Sequence, residues 1–192
     1  MNLVLVTAPT TLAVPPEAAM RHVRSTDQSE APDVEELSKA AQRLIETRMD
    51  RALTEHTYRL SLDAFPTFIQ LPRSPLIAIV DITYVDVDGV TQTMGVDEYH
   101  VDADAEPAVI EPAYGEEWPE TRAIAGAVKV RYRCGHTDTR PAPPQGAQAI
   151  KLVVGHWYEN REAVVTGTIS TEVDMAVDAL IGSCRIVAEY DQ

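Results

Sequence analysis

The sequence predicts an α+β protein, a small helical bundle with a β-rich insertion between its second and third main helices. Apolar residues recur at three- and four-residue spacing before residue 56 and again after residue 141, which is typical of amphipathic helices. Between these regions, short runs of alternating apolar and polar residues are separated by Pro and Gly, as in strands. The chain has 192 residues, 45% of them hydrophobic, which suits one domain with a real core.

We treat the chain as a single domain, residues 1–192, built from four consecutive segments. The segments are N-terminal helices in 1–56, an acidic β-rich insertion in 57–140, a third helix in 141–162, and a C-terminal helix with a tail in 163–192.

Two helices are predicted in the first segment. Pro15 and Pro16 precede a short helix that ends near Arg24, because proline at a helix start loses no hydrogen bond. Residues 25–32 are polar and are predicted to be a loop. The second helix is predicted over about 33–53, with Asp33 as its N-cap.

The insertion is predicted to contain strands joined by tight turns. Asp88-Gly89 predicts a two-residue hairpin turn in which both residues have positive φ. The predicted strands are 58–62, 68–71, 76–86, 90–93, 98–101, 108–110 and 127–134. After them, a helix is predicted from Pro144 to just before Asn160, a shorter one over 174–184, and an extended tail over 186–192.

The charge distribution is uneven and excludes several classes of protein. The chain has 16 basic and 30 acidic residues, a formal charge of −14, and no Lys or Arg lies between Arg73 and Arg122. This balance disfavours tight binding to nucleic acid phosphates, which depends on Lys and Arg. No apolar run approaches the roughly 18 residues of a membrane helix, and the short apolar N-terminus lacks the basic leader of a signal peptide.

No pattern in the sequence indicates an enzyme, a cofactor or a metal site. Asp86-x-Asp88-Gly89 resembles the start of a calcium loop, but Val90 and Asp97 stand where further ligands should be. The histidines show none of the helix-face spacings of a zinc hydrolase, and Cys134 and Cys184 form no Cys-x-x-Cys pair. We therefore predict no catalytic, cofactor-binding or metal-binding residue, and no cofactor.

Two aromatic features are better explained by packing. The loop containing Tyr114 and Trp118 is predicted to be a packed, proline-stiffened loop rather than a ligand platform. Trp157 and Tyr158 lie on the amphipathic third helix, where they would contribute to the core or to an interface between subunits.

The order of these segments resembles the head–tail connector (adaptor) proteins of long-tailed phages. Each motif alone is modest, but their order and spacing together are fairly specific and cover most of the chain. The matching stretches are 15–24, 58–66, 69–76, 82–89, 112–122, 149–162 and 179–187. The polar residues 25–32 depart from the family pattern.

The resemblance implies a structural protein of the virion neck, made in the cytoplasm of the bacterial host. Such connectors form a homo-oligomeric ring, expected to be a dodecamer, beneath the capsid portal protein. DNA passes through the lumen without specific binding, and a stopper or tail-completion protein docks below. The alternative from the sequence is an acidic β-rich module of a virion that binds carbohydrate or a receptor.

The resemblance also suggests which residues contact partners. Connectors dock to the portal through their C-terminal region, and the apolar residues there need a partner surface or the protein's own core. The candidate portal-interface residues are Val177, Leu180, Ile181, Ile186 and Val187. Trp157 and Tyr158 are the candidate subunit-interface residues.

Overall fold

The computed structural model describes residues 1–160 and 170–188 and has a mixed α+β fold. Its helices are α1 (Pro16–Val23), α2 (Ala31–Met49), α3 (Pro144–Glu159) and α4 (Thr171–Ile181), with a 3₁₀ turn at Gln28–Glu30. Its strands are β1 (Asn2–Thr7), β2 (His56–Leu62), β3 (Ile69–Leu71), β4 (Leu76–Val85), β5 (Thr91–Thr93), β6 (Tyr99–Asp102), β7 (Ala108–Pro112) and β8 (Val128–Cys134). None of the helices in these two ranges is long and apolar enough to cross a membrane.

The described residues form two compact units. The β unit comprises residues 1–9, 55–135 and 186–188, and the helical unit comprises 10–54, 136–160 and 170–185. The boundary after Pro9 differs from the predicted segmentation, in which residues 1–56 were all assigned to the helices.

The helical unit is built on one apolar cluster. The stripe predicted on α2 supplies Val34, Ala41, Ile45 and Met49, all fully buried. The other fully or nearly fully buried members of the cluster are Val14, Ala19, Met20, Leu53, Ala149, Ile150, Val153, Val154, Trp157, Val177 and Ile181. Helices α1, α2, α3 and α4 thus share one core, as amphipathic helices of a bundle do.

The start of α2 corrects a sequence prediction. The helix begins at Ala31 and not at Asp33, because Pro32 has the backbone angle of a first helical turn and fits inside the helix. The preceding residues form a 3₁₀ turn, where the Asp27 side chain accepts a hydrogen bond from the Ser29 amide at 2.9 Å. The helix ends at Met49 and not near residue 53 as predicted, because the next residue, Asp50, has a left-handed backbone conformation (φ 50°).

The β unit contains two antiparallel sheets. The five-stranded sheet has the order β1-β2-β8-β4-β5, and the three-stranded sheet has the order β3-β7-β6. The seven predicted strands are present with small changes at their ends, whereas β1 was not predicted. Its pairing with β2 places Leu3 opposite Leu60, a contact that local sequence patterns do not reveal.

The predicted β4–β5 hairpin is present, but its turn type is different. The Asp86 amide donates to the Val90 carbonyl, so the loop has three residues, and only Gly89 has positive φ (86°). The Gly89 amide donates a hydrogen bond to the Asp86 carbonyl at 3.0 Å. A side chain at Gly89 would be strained by this φ and would also collide with the Arg122 guanidinium.

Candidate functional site

Two of the candidate portal-interface residues lie in the core of the helical unit. Val177 and Ile181 are 0% and 1% exposed, and Leu180 is partly buried against the same cluster. Arg48 of α2 holds α4 from outside by an ion pair of 2.6 Å with Asp174. Helix α4 therefore packs on its own unit, which is the own-core alternative of the sequence analysis, and portal docking through these residues stays a prediction.

The two candidates after α4 differ in exposure. Ile186 is 8% exposed, whereas Val187 is 88% exposed. Both are assigned to the β unit. The rest of the predicted extended tail, 189–192, and residues 161–169 lie outside the described residues. Val187 is thus the candidate whose side chain is open to a partner.

The candidate subunit-interface residues have partners within the helical unit. Trp157 is 7% exposed and belongs to the core cluster. Its indole nitrogen finds no acceptor among residues 1–160 and 170–188. Tyr158 packs beside the cluster, and its hydroxyl donates to Glu30 Oε2 at 2.5 Å. The core alternative accounts for both positions, and a contact with another subunit stays a prediction.

The two aromatic residues of the predicted packed loop differ in their packing. The Trp118 ring stacks on Phe65 with centroids 4.7 Å apart, and its indole nitrogen donates to the Thr67 carbonyl at 3.3 Å. Tyr114, in contrast, is fully exposed beside Gly115, which has a positive φ of 85°. The predicted packing is correct for Trp118 and wrong for Tyr114.

The acidic residues of the insertion lie mainly on turns and exposed strand positions. Asp86 organises the β4–β5 turn: its Oδ1 accepts the Val90 amide at 2.9 Å, and its Oδ2 accepts Gln92 Nε2 at 2.7 Å. These hydrogen bonds, that of Gln92 first, lower the pKa of Asp86. No three His, Cys, Asp or Glu side chains of the described ranges come together as a metal site.

A second group of acidic residues lies on the β6–β7 hairpin. We call this group the acidic hairpin. It consists of Asp102, Asp104, Glu106 and Glu111, all exposed. Asp102 Oδ1 accepts the amides of Asp104 and Ala105, each at 3.1 Å, and so shapes the turn. The Asp104 carboxylate and that of Glu111, which lies on β7 opposite His100, face solvent.

A row of basic side chains on the five-stranded sheet was missed by the sequence analysis. Strand β8 alternates strictly between buried and exposed residues, which places Lys129, Arg131 and Arg133 on one exposed face. Arg59 of β2 lies directly opposite Arg131 and is also exposed. We call these four residues the basic row. The β8 alternation could have revealed three of them.

Two members of the basic row are paired within the unit. Arg131 forms an ion pair with Asp81 of β4, and Arg133 Nε lies 2.8 Å from Glu55 Oε1. Both arginine side chains keep about half of their surface exposed, at 46% and 45%. Arg59 and Lys129 form no ion pair with any residue in the described part of the chain.

A buried polar network in the helical unit was also missed. Gln42 and Glu46 of α2 are 2% and 4% exposed. Gln42 Oε1 accepts the Ala13 amide at 2.9 Å, and its Nε2 donates to Glu46 Oε1 at 3.0 Å and to Thr54 Oγ1 at 2.8 Å. Glu46 Oε1 also accepts the Leu53 amide at 2.9 Å. The network joins the segments on both sides of α2 to that helix.

The fold is similar to that of chains in solved structures of the neck and the virion of gene transfer agent (GTA) particles. A chain from "Neck of empty GTA particle computed with C6 symmetry" superposes with a TM-score of 0.80 and 25% identity, covering 100% of this chain and 99% of that one. A chain from the neck of a native GTA particle, computed with C12 symmetry, gives 0.75 and 25% with the same coverage. A chain from the virion of a native gene transfer agent (GTA) particle gives a TM-score of 0.78 at 24% identity, again over 100% and 99% of the two chains.

No family model and no curated protein sequence matches the chain. The structural matches are therefore the findings that bear on its class. They support the sequence prediction of a phage-like neck or virion protein, since two of the three chains come from particle necks.

Proposed function

We propose that this chain is a head–tail connector (adaptor), which forms a ring under the capsid portal of a phage-like particle. The observation that carries the proposal is the match to neck chains along the whole length of both proteins, at a TM-score of 0.80. In this role the protein is a structural component of the virion neck, made in the bacterial host, and it catalyses no reaction. The stopper or tail-completion protein docks on the ring.

The proposed ring has twelve copies. Its support is that the similar neck chains come from assemblies computed with C6 and C12 symmetry. In a cyclic ring each copy contacts its neighbours through two different patches, because the interface is heterologous. A ring of chains with a charge of −14 each also repels the DNA that passes through it during packaging and ejection, and so keeps the DNA from sticking.

Portal docking through the C-terminal region is part of the proposal. Val187 is the candidate best suited to it, because an aliphatic side chain that is 88% exposed can be buried by a partner. Leu180 is the second candidate because it is only partly buried. Val177 and Ile181 support the fold of α4 instead.

The test is a mass measurement of the purified protein with and without portal protein. With the portal present, we expect its mass to increase by twelve times the 21.1 kDa chain mass. Negative-stain images should then show closed rings on the portal. Only monomers in the presence of the portal would contradict the proposal.

A point variant tests whether Val187 contacts the portal. We expect Val187→Asp to weaken co-purification with the portal about tenfold while the melting temperature stays unchanged, since its side chain is exposed. Met175→Asp is the matched control, because Met175 is an exposed apolar residue (68%) on α4. Equal retention of both variants by the portal would exclude Val187 from the interface.

A further inference from the structure

The basic row stands out in a chain with a net charge of −14. On this face of the five-stranded sheet, the four cations outnumber the two carboxylates paired with them, Asp81 and Glu55, leaving a local charge of +2. Because Arg59 and Lys129 have no ionic partner in the described part of the chain, the face can still bind an acidic group.

The residues around the basic row indicate what kind of partner fits. Most residues around Arg59 and Lys129 on the neighbouring strand positions are polar: Thr57, Ser61, Thr83, Thr93 and Asn2. The exception is Val4 of β1, which lies opposite Arg59 and is partly buried. Such a face offers no large apolar pocket. Its binding energy therefore comes from charge and hydrogen bonds, and the partner should carry exposed carboxylates or phosphates.

The acidic hairpin of another copy has this chemistry. Asp104 and Glu111 are exposed carboxylates on the three-stranded sheet and its hairpin, and so they lie on a different sheet from the basic row. A heterologous contact needs two such unlike patches on each copy. Copies that each carry −14 repel one another, and pairing opposite charges at the contact offsets this repulsion locally.

We propose that the basic row of one copy binds the acidic hairpin of the next copy, and that this contact is an interface of the assembly. The inference rests on the proposed ring, because it assigns the two patches that close it. DNA is the less favoured partner, because Arg131 and Arg133 are already paired with carboxylates and the chain as a whole repels phosphate.

The test uses two charge-reversal variants that leave the internal ion pairs and the Asp102 turn intact. The first carries Arg59→Glu and Lys129→Glu, and the second carries Asp104→Lys and Glu111→Lys. We expect each variant alone to assemble on added portal protein at least tenfold less than the wild type does, in sedimentation velocity at low salt. A mixture of the two should associate, because each then meets the opposite charge on the other. Added salt should weaken this association, since exposed charges are screened.

A control variant tests whether total charge alone explains the loss. Arg21→Glu with Arg43→Glu makes the same change in net charge as the first variant, but on exposed positions of the helical unit. This control should associate as the wild type does, and circular dichroism should show all variants folded.

The outcomes distinguish this inference from the proposed function. A mixture that does not associate with portal present, under conditions in which the wild type forms rings, overturns the inference alone. A mixture that associates while the wild type forms no ring supports the interface and overturns the connector role. A first variant that assembles normally but loses a retarded DNA band assigns the basic row to DNA and overturns the inference.

Discussion

The helical unit and the β unit use their polar side chains in different ways. In the helical unit, Gln42 and Glu46 are nearly fully buried and bond to each other and to backbone amides on either side of α2. In the β unit, the charged side chains of the basic row and the acidic hairpin lie on exposed strands and turns. The buried polar side chains of the helical unit therefore fix its fold, whereas these charged side chains of the β unit stay exposed, where they shape turns or form surface ion pairs.

The largest test of this difference compares two glutamines whose side-chain amides each donate to a carboxylate. Gln42→Leu should lower the free energy of unfolding by about 3 kcal/mol, because the Ala13 amide loses its acceptor and the buried Glu46 loses a donor. Gln92→Leu, at an exposed position, should leave the free energy of unfolding within experimental error. Urea denaturation followed by circular dichroism measures both.

If both variants lose the same free energy of unfolding, the buried glutamine of the helical unit contributes no more to stability than the exposed glutamine of the β unit. A Gln42→Glu variant gives a further check. It keeps an acceptor for the Ala13 amide but places a second carboxylate beside Glu46, so it should also destabilise the protein.

An intermediate effect is expected inside the β unit, where one tyrosine is buried and another exposed. Tyr132 is fully buried and its hydroxyl donates to the Pro72 carbonyl at 2.8 Å, so Tyr132→Phe should cost about 1 kcal/mol of unfolding free energy. Tyr114→Phe is the control, since Tyr114 is fully exposed. If both variants melt alike, the hydrogen bond of Tyr132 contributes nothing to the stability of this unit.

Local patterns predicted the elements better than they predicted the surfaces. The alternation in β8 and the apolar stripe of α2 are local features, and the structure confirms the strand and the helix with small changes at their ends. Strand β1 forms by pairing with β2, and Arg59 lies opposite Arg131 because β2 pairs with β8. The sequence of one strand alone does not predict which strand it pairs with.

The same limit applies to the candidate interface residues. Val177 and Ile181 form an apolar stripe whether α4 packs on its own core or on a partner, and the ion pair from Arg48 that favours the first is a contact between distant segments. Gln42 and Glu46 are polar residues next to the α2 stripe. Their burial depends on the segments before and after the helix that cover them. Sequence periodicity identifies a face but not what covers it.

The smallest expected effect concerns the exposed polar turn of the β unit. The pKa of Asp86 lies below its ordinary value, because Gln92 and the backbone amides of Val90 and Asp88 donate to the charged carboxylate. Because the folded-state pKa is lowered, the charged carboxylate stabilises the turn at pH values above the ordinary pKa. This stabilisation is lost as the pH falls through the folded-state pKa.

NMR titration of the Asp86 carboxyl should therefore give a pKa below the ordinary value of about 3.9 in the wild type. In Gln92→Ala the pKa should rise towards that value, since the hydrogen bond from Gln92 is the main cause of the shift. Gln148→Ala, at an exposed position of α3 in the helical unit, should leave the Asp86 pKa unchanged. If the pKa of Asp86 is the same in Gln92→Ala as in the wild type, the backbone amides are the cause of its lowered value. The exposed side chains of the β unit would then contribute even less to its fold than the comparison with Gln42 implies.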